Sequence, residues 1–208
     1  MGLRSAREEI FFLSRWLRAP LKTGAVRPSG RDLTRLIAHA VADTAQDEWV
    51  VELGGGTGAV TRALLGAGIS PQRLVVLERD PALSAWLRRD FPGTTIIAGD
   101  AEHLRRHLAR REISGVRRIV SSLPLLSLPR AQRKAILAEA FQVLGSEGSL
   151  IQYSYGPSCP VSRALRAELG IEARSLGFAW RNLPPARVWE LRKTMRGSAQ
   201  QEKSQAAA

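Results

Sequence analysis

Cysteine is nearly missing: the 208 residues hold one, Cys159. A lone cysteine excludes an intrachain disulfide and any multi-cysteine metal site, and it points to a reducing, cytoplasmic setting. Aromatic residues are scarce, at 6% with two tyrosines. Long apolar runs are missing as well. None approaches the ~18 residues of a membrane-spanning helix. Ile10-Phe11-Phe12-Leu13 also falls far short of the roughly 7–15-residue apolar core of a secretory leader. Any meeting with a membrane is therefore expected from the side, as a peripheral protein on the inner face of the cell membrane. There is no internal repeat, and no Ser-His-Asp order stands out. Acid is the minority charge, with 19 Asp and Glu against 31 Lys and Arg and a net charge of +12. So basic a chain meets something anionic: nucleic acid, an anionic membrane surface or an acidic substrate. Charge alone does not choose among them.

What is present is a globular composition, 44% hydrophobic and 24% charged, in a length that suits one domain with a short appendage. Residues 1–30 read as an amphipathic helix (1–19) and a turn-rich connector with prolines at both ends (20–30). Residues 194–208 are polar and expected to be disordered. Between them, residues 31–193 alternate between two periodicities. Helices are expected over 32–45, 57–65, 81–89, 101–111, 130–144 and 161–169. Strands are expected over 49–53, 74–78, 94–98, 118–122 and 149–155, with 173–179 and 187–192 as a closing antiparallel pair. Strands alternating with helices of this length form βαβ units, and hence an α/β fold with helices on both faces of a parallel sheet.

The first expected strand runs into Glu52-Leu53-Gly54-Gly55-Gly56-Thr57-Gly58. Side-chain-free residues at a strand's carboxyl end let a ligand lie against the backbone, where the crevice of an open α/β sheet sits. Gly54, Gly56 and Ala59 also satisfy G-x-G-x-x-G/A, a weak pattern shared by dinucleotide enzymes and methyltransferases. Glu78 ends the second strand, where an acid accepts both hydroxyls of a ribose. Gly99-Asp100-Ala101 follows the third, where a carboxylate receives an adenine amino group. Each acid alone reads equally well as a helix cap or a surface ion pair. As an ordered set at successive strand ends, they describe a pocket for an adenosyl group.

The set E-x-G-x-G-x-G, Glu78 and Asp100 resembles the motifs of class I S-adenosylmethionine-dependent methyltransferases. That resemblance implies a Rossmann-like, seven-stranded, mostly parallel sheet with an antiparallel last strand. It also implies that Glu52, Gly54, Gly56, Thr57 and Gly58 face the methionine part, with Arg79, Gly99, Ala101 and Ser121 completing the cofactor site. After the fourth strand comes Ser122-Leu123-Pro124-Leu125. Amino-methyltransferases of nucleic-acid bases carry an amide or acid and an aromatic at this corner. Here Ser122 and Leu125 stand in their places, so a flat base would lose its stacking surface.

Together with Leu21-Lys22-Thr23-Gly24-Ala25-Val26-Arg27-Pro28-Ser29, Gln152-Tyr153-Ser154-Tyr155-Gly156-Pro157 and Asn182-Leu183-Pro184-Pro185-Ala186-Arg187-Val188-Trp189, that corner resembles the bacterial phospholipid N-methyltransferases. The rRNA adenine dimethyltransferases are related to them. The resemblance implies transfer of methyl groups from S-adenosylmethionine to the amine of phosphatidylethanolamine, and onward through its mono- and dimethyl derivatives toward phosphatidylcholine. It places Lys22 and Thr23 in the cofactor site. Tyr153 and Tyr155 lie on one face of their strand and are candidates, with Ser122, Leu123 and Pro124, to surround the amine. Arg27 and Arg187, and Lys22 as a further candidate, would take the lipid phosphate, which suits the guanidinium fork. Ordinary packing or solvation accounts for each of these residues equally well when taken singly.

On a 3.6-residue wheel, Leu3, Ala6, Ile10, Leu13 and Leu17 share one stripe of the first helix, flanked by Phe12 and Trp16. Arg4, Arg7, Arg15 and Arg18 lie opposite, the arrangement of a helix lying in an anionic membrane interface. A stripe packed permanently on the sheet is the alternative. His103 and His107 stand four apart with no third ligand evident, so a solvated face is expected there and no metal site. The favoured partners are a phospholipid and a membrane surface, not nucleic acid. A nucleic-acid adenine methyltransferase is the main competitor. A nicotinamide oxidoreductase and a non-catalytic lipid-binding module are the others.

Overall fold

A computed structural model of the chain describes residues 31–155, 158–180 and 185–194. The expected amphipathic helix, the connector with Lys22, Thr23 and Arg27, and all of the tail beyond Thr194 lie outside the described residues. So do Gly156, Pro157 and Asn182-Leu183-Pro184.

Thirteen regular elements alternate along the described chain: α1 (Arg31–Val41), β1 (Trp49–Leu53), α2 (Ala59–Gly66), β2 (Leu74–Glu78), α3 (Pro81–Asp90), β3 (Thr95–Ala98), α4 (Leu104–Ala109), β4 (Val116–Ser121), α5 (Arg130–Val143), β5 (Leu144–Ser154), α6 (Arg163–Leu169), β6 (Ile171–Ala179) and β7 (Ala186–Lys193). They build one seven-stranded sheet in the order β3-β2-β1-β4-β5-β7-β6. β7 runs antiparallel to both β5 and β6, and the remaining pairs are parallel. The expected sheet and its reversed last strand are both present.

Burial follows from sequence. β1 (WVVEL) and β2 (LVVLE) are almost entirely apolar, as strands covered on both faces must be. Two cores result. One packs Leu33, Ile37 and Val41 of α1, Val60 and Leu64 of α2 and Leu87 of α3 against Val50, Val76, Val120, Ile151 and Val188. The other packs Leu104 and Leu108 of α4, Ile136, Leu137 and Phe141 of α5 and Leu165 of α6 against Val51, Leu77, Ile119, Leu150 and Leu191. Leu33, Ile37 and Val41 recur every fourth residue, which keeps one stripe of α1 on the sheet. Each such side chain adds about 1.5–3 kcal/mol when fully buried.

Element boundaries differ from expectation where local chemistry intervenes. α2 begins at Ala59 because Gly58 is left-handed, at φ 76°. The helix expected over 101–111 splits: Asp100 accepts a hydrogen bond from the Glu102 N–H and closes a 3₁₀ turn, Ala101–His103, before α4. α6 starts after Ser162, whose hydroxyl caps the Leu165 N–H at 3.3 Å. Thr194, placed by sequence in the loose tail, is anchored through its N–H to the Gly170 carbonyl at 2.8 Å.

Strand order reverses between β1 and β4: the chain winds outward through β2 and β3 on one side and through β5 on the other. The connections leave a crevice at the carboxyl ends of β1 and β4, where open α/β sheets bind their ligands.

Candidate active site at the carboxyl ends of β1 and β4

The glycine loop is shaped by crowding on one side and by space on the other. A Cβ at Gly55 would lie 2.4 Å from the Val76 side chain, and one at Gly58 would lie 2.3 Å from Phe91. Gly56 has φ +52° and nothing within 4 Å of where its Cβ would be, so its backbone faces open crevice. α2, which the loop opens, has no side-chain cap and no acid in its first turn. Its N–H groups are left for an anionic ligand group.

Glu78 ties this loop to β2. One carboxylate oxygen accepts from the Gly56 N–H at 2.9 Å, and the other accepts from the Asp80 N–H at 2.8 Å. Each oxygen keeps a second lone pair, so two ribose hydroxyls would find acceptors on a carboxylate already held in place. Asp100 combines both readings. Its Oδ1 caps the Glu102 N–H at 3.0 Å, while Oδ2 faces only the exposed Arg79 guanidinium at 3.7 Å and can take an adenine amine. Ala101, buried, sits beside it.

Gly99 leaves room for His107, whose ring would lie 2.5 Å from a Cβ there. Sequence reasoning placed His107 on a solvated face. It is instead half-buried against the Gly99 turn, with a buried Nε2 that has no protein partner. Burial first, and then Arg111, His103, Arg110 and Arg106, hold its pKa below the usual histidine value, so the ring is neutral at pH 7. The missed signal was Gly99 itself, because the glycine makes room for the ring.

Glu52 lies wholly buried on the α1–α3 side of β1. Its Oε2 accepts from the Thr61 hydroxyl at 2.6 Å, and Oε1 has no partner. Burial pushes its pKa up to about 8, against the Thr61 hydrogen bond and with help from the Glu78 charge. The same face carries Tyr153 and Tyr155, their rings edge to face with centroids 6.0 Å apart. Burial, and then the neighbouring Tyr155, raise the Tyr153 phenol above its ordinary pKa. Ser122 acts in the opposite direction and Glu52 adds to the rise, so the phenol keeps its proton at pH 7. The Ser122 hydroxyl is buried and makes no hydrogen bond of good geometry. Glu52, Ser122 and Tyr153 thus form one electrostatic neighbourhood above the strand ends.

The corner after β4 is fixed from three sides. The Ser122 N–H donates to the Leu53 carbonyl at 2.8 Å, and the Leu123 N–H donates to the Ser121 hydroxyl at 3.4 Å. The Gln152 side-chain amide donates to the Leu123 carbonyl at 3.2 Å. Leu123 packs against Gly54, whose Cβ would lie 3.0 Å from it. Pro124 is exposed and leads a 3₁₀ turn, Leu125–Ser127. Leu125 does not line the corner as its alignment with a stacking aromatic suggests. It is 2% exposed and belongs to the α4–α6 core.

Arg187 is not brought to the tyrosines. It pairs with Ser154 in register and lies over the rings of Phe178 and Trp189, 5.3 and 5.6 Å from their centroids. Trp189 packs on the α4–α6 core, so Arg187 is on the opposite face of the sheet. No group of three or more metal-ligating side chains occurs among the described residues.

The donor set suits S-adenosylmethionine. Gly56 gives open space, α2 offers free N–H groups to a carboxylate, and Glu78 and Asp100 keep lone pairs for ribose and adenine. The unpartnered Glu52 Oε1 would be left for the methionine part.

No family model matches the chain. Over 140 residues it is 33% identical to the ornithine lipid N-methyltransferase of Singulisphaera acidiphila, covering 66% of this chain and 71% of that protein. Over 70 residues it is 39% identical to ribosomal RNA small subunit methyltransferase A of Chlorobium phaeobacteroides, covering 34% of this chain and 24% of that protein. In fold it is similar to a TehB-like SAM-dependent methyltransferase from Corynebacterium glutamicum. The TM-score is 0.59 at 18% identity, covering 91% of this chain and 100% of that one. The chain is an S-adenosylmethionine-dependent methyltransferase and belongs to the family of the ornithine lipid N-methyltransferase.

Proposed function

We propose that this chain methylates the primary amine of a membrane lipid, working as a peripheral protein at the bilayer surface. The observation that carries the reading is the match to a lipid N-methyltransferase across most of both chains. The resemblance of the motifs to phospholipid N-methyltransferases favours phosphatidylethanolamine as the acceptor, with phosphatidylcholine as the end product. The relative's substrate favours an ornithine headgroup. Both present a primary amine on a lipid. The ribosomal relatives match 34% to 45% of this chain, and the corner after β4 has no aromatic for a base to stack on.

S-adenosylmethionine would supply, when bound, a sulfonium methyl group to the amine: the nitrogen lone pair bonds to the methyl carbon as the C–S bond breaks, S-adenosylhomocysteine leaves, and the new ammonium releases its proton to water. The chain's work is then positioning, which supplies on the order of 7–11 kcal/mol in well-oriented systems. The Ser122-Leu123-Pro124 corner would hold the amine against the crevice. Tyr153, protonated, would accept a hydrogen bond from the neutral amine through its phenol oxygen, and Tyr155 would offer a ring to the methylated cation. Shielding from water there favours the neutral amine over ammonium.

The test uses labelled S-adenosylmethionine with three acceptors: vesicles of phosphatidylethanolamine, vesicles of ornithine lipid, and total ribosomal RNA. Label entering either lipid supports the proposal and names the headgroup. Label entering RNA alone overturns it.

A further inference from the structure

The crevice rim divides by charge. The connections after β2 and β3 are acidic, with Glu78, Asp80, Asp100 and Glu102. On the other side of the reversal, the turn at 122–129, residues 155 and 158–162, and residues 180 and 185 contain no acid. β6 is antiparallel to β7, which is antiparallel to β5. β6 therefore ends at the same edge of the sheet as β4 and β5. The exposed large apolar side chains among the described residues are Leu126 at 46% and Trp180 at 76%. One follows β4 and the other follows β6, so both stand on the acid-free part of the rim.

Trp180 is not a loose side chain. Its ring lies 4.3 Å from that of Phe178, Phe178 carries the Arg187 guanidinium on its other contacts at 5.3 Å, and Arg187 rests in turn over Trp189 at 5.6 Å. The stack runs along the half-buried face of β7, on the α4–α6 side of the sheet, up to the rim. Beyond its contact with Phe178, the indole stays exposed to water. Indole is, however, the side chain that settles at the boundary between lipid headgroups and acyl chains. The guanidinium beneath it and the missing acids favour an anionic surface, which attracts nearby basic groups.

We propose that Trp180, propped by Phe178 and Arg187, and Leu126 form a docking rim for an anionic lipid bilayer, set beside the acceptor side of the crevice. This rests on the functional reading above and is separate from the expected membrane role of residues 1–19. The rim orients the molecule so that a lipid headgroup rises into the Ser122–Tyr153 corner while the acidic connections around the cofactor stay in water.

The experiment uses the full chain and vesicles of phosphatidylethanolamine and phosphatidylglycerol, with and without brominated acyl chains, which quench tryptophans that enter the bilayer. Part of the fluorescence of the unmodified chain should be quenched, and Trp180→Phe should be quenched less, by the share that Trp180 contributes beside Trp16. Trp180→Ser should bind vesicles about tenfold more weakly, in line with the loss of one large buried apolar side chain, while its affinity for S-adenosylmethionine stays unchanged. Quenching that is the same in Trp180→Phe, or vesicle binding that is the same in Trp180→Ser, overturns the rim. So does a Trp180→Ser chain that loses affinity for an RNA oligonucleotide and none for vesicles. Docking is read without turnover. A chain that docks through Trp180 and yet methylates no lipid therefore supports the rim and overturns only the functional reading.

Discussion

The two halves of the sheet meet a ligand in opposite ways. On the β1–β3 side, carboxylates are held by neutral donors: Glu78 by two backbone N–H groups, Glu52 by the Thr61 hydroxyl. They keep their charge or lone pairs for something that arrives. On the β4–β7 side, the rim offers hydroxyls, rings and apolar side chains, and its arginine is stacked between aromatics. The buried acid of that half lies away from the rim and is already paired. Glu190 meets Arg174 at 2.7 Å and Arg192 at 2.8 Å. Although burial works to raise its pKa, those hydrogen bonds hold it below the usual carboxylate value. On the proposed reading, one half receives a polar, cationic cofactor and the other a greasy acceptor. The reversal of strand order puts the two side by side.

This contrast breaks if a change in one half is felt as a change in the other. The largest expected effect is on the cofactor side. Glu78→Ala removes two acceptors for charge-assisted hydrogen bonds, each worth about 1.5–3 kcal/mol. The affinity for S-adenosylmethionine measured by calorimetry should fall on the order of 100-fold, with vesicle binding intact. A fall in both would mean that the halves are not separable. On the acceptor side, Tyr153→Phe removes one hydrogen bond to the amine. Turnover should drop roughly tenfold at unchanged cofactor affinity, and an unchanged turnover would return Tyr153 to plain packing.

The smallest effect is one of pH. The Glu52 pKa is raised from 4.5 in the unfolded chain to about 8 in the folded one. The folded chain thus holds a proton that the unfolded chain has released. That contribution to stability is complete below pH 4.5 and is lost as pH rises through 8. Between pH 7 and 9 the cofactor-free protein should lose about 1.4 kcal/mol from this group. Thermal melts of the native chain and of Glu52→Gln check it: the substitution should flatten the slope over that window, and parallel slopes would count against a buried, protonated Glu52.

What could be read from sequence was what is local. The glycine loop, Glu78 and Asp100 each sit within a few residues of a strand end, so strand periodicity alone locates them. The two tyrosines share a face for the same reason. What could not be read depends on partners far along the chain. The face on which Arg187 lies is set by its pairing with β5, across more than thirty residues and a reversed strand. Leu125 turns inward because Gln152 and Leu53 hold the backbone before it, and nothing in Ser-Leu-Pro-Leu announces that. The helix pattern around His107 predicts a solvated face, but the deciding residue is Gly99, in the turn just after β3. The exposure of Trp180 is invisible to periodicity, which expects a tryptophan at a strand end to be covered.

Gln152 has a consequence for how such a protein can change over time. Its amide group donates both to the Leu123 carbonyl and, at 2.7 Å, to the carbonyl of Tyr153. The turn after β4 and the strand that bears the tyrosines are thereby riveted together. New headgroups would be accommodated by exchanging side chains at 122, 153 and 155 on a stationary frame, and not by lengthening or reshaping the turn.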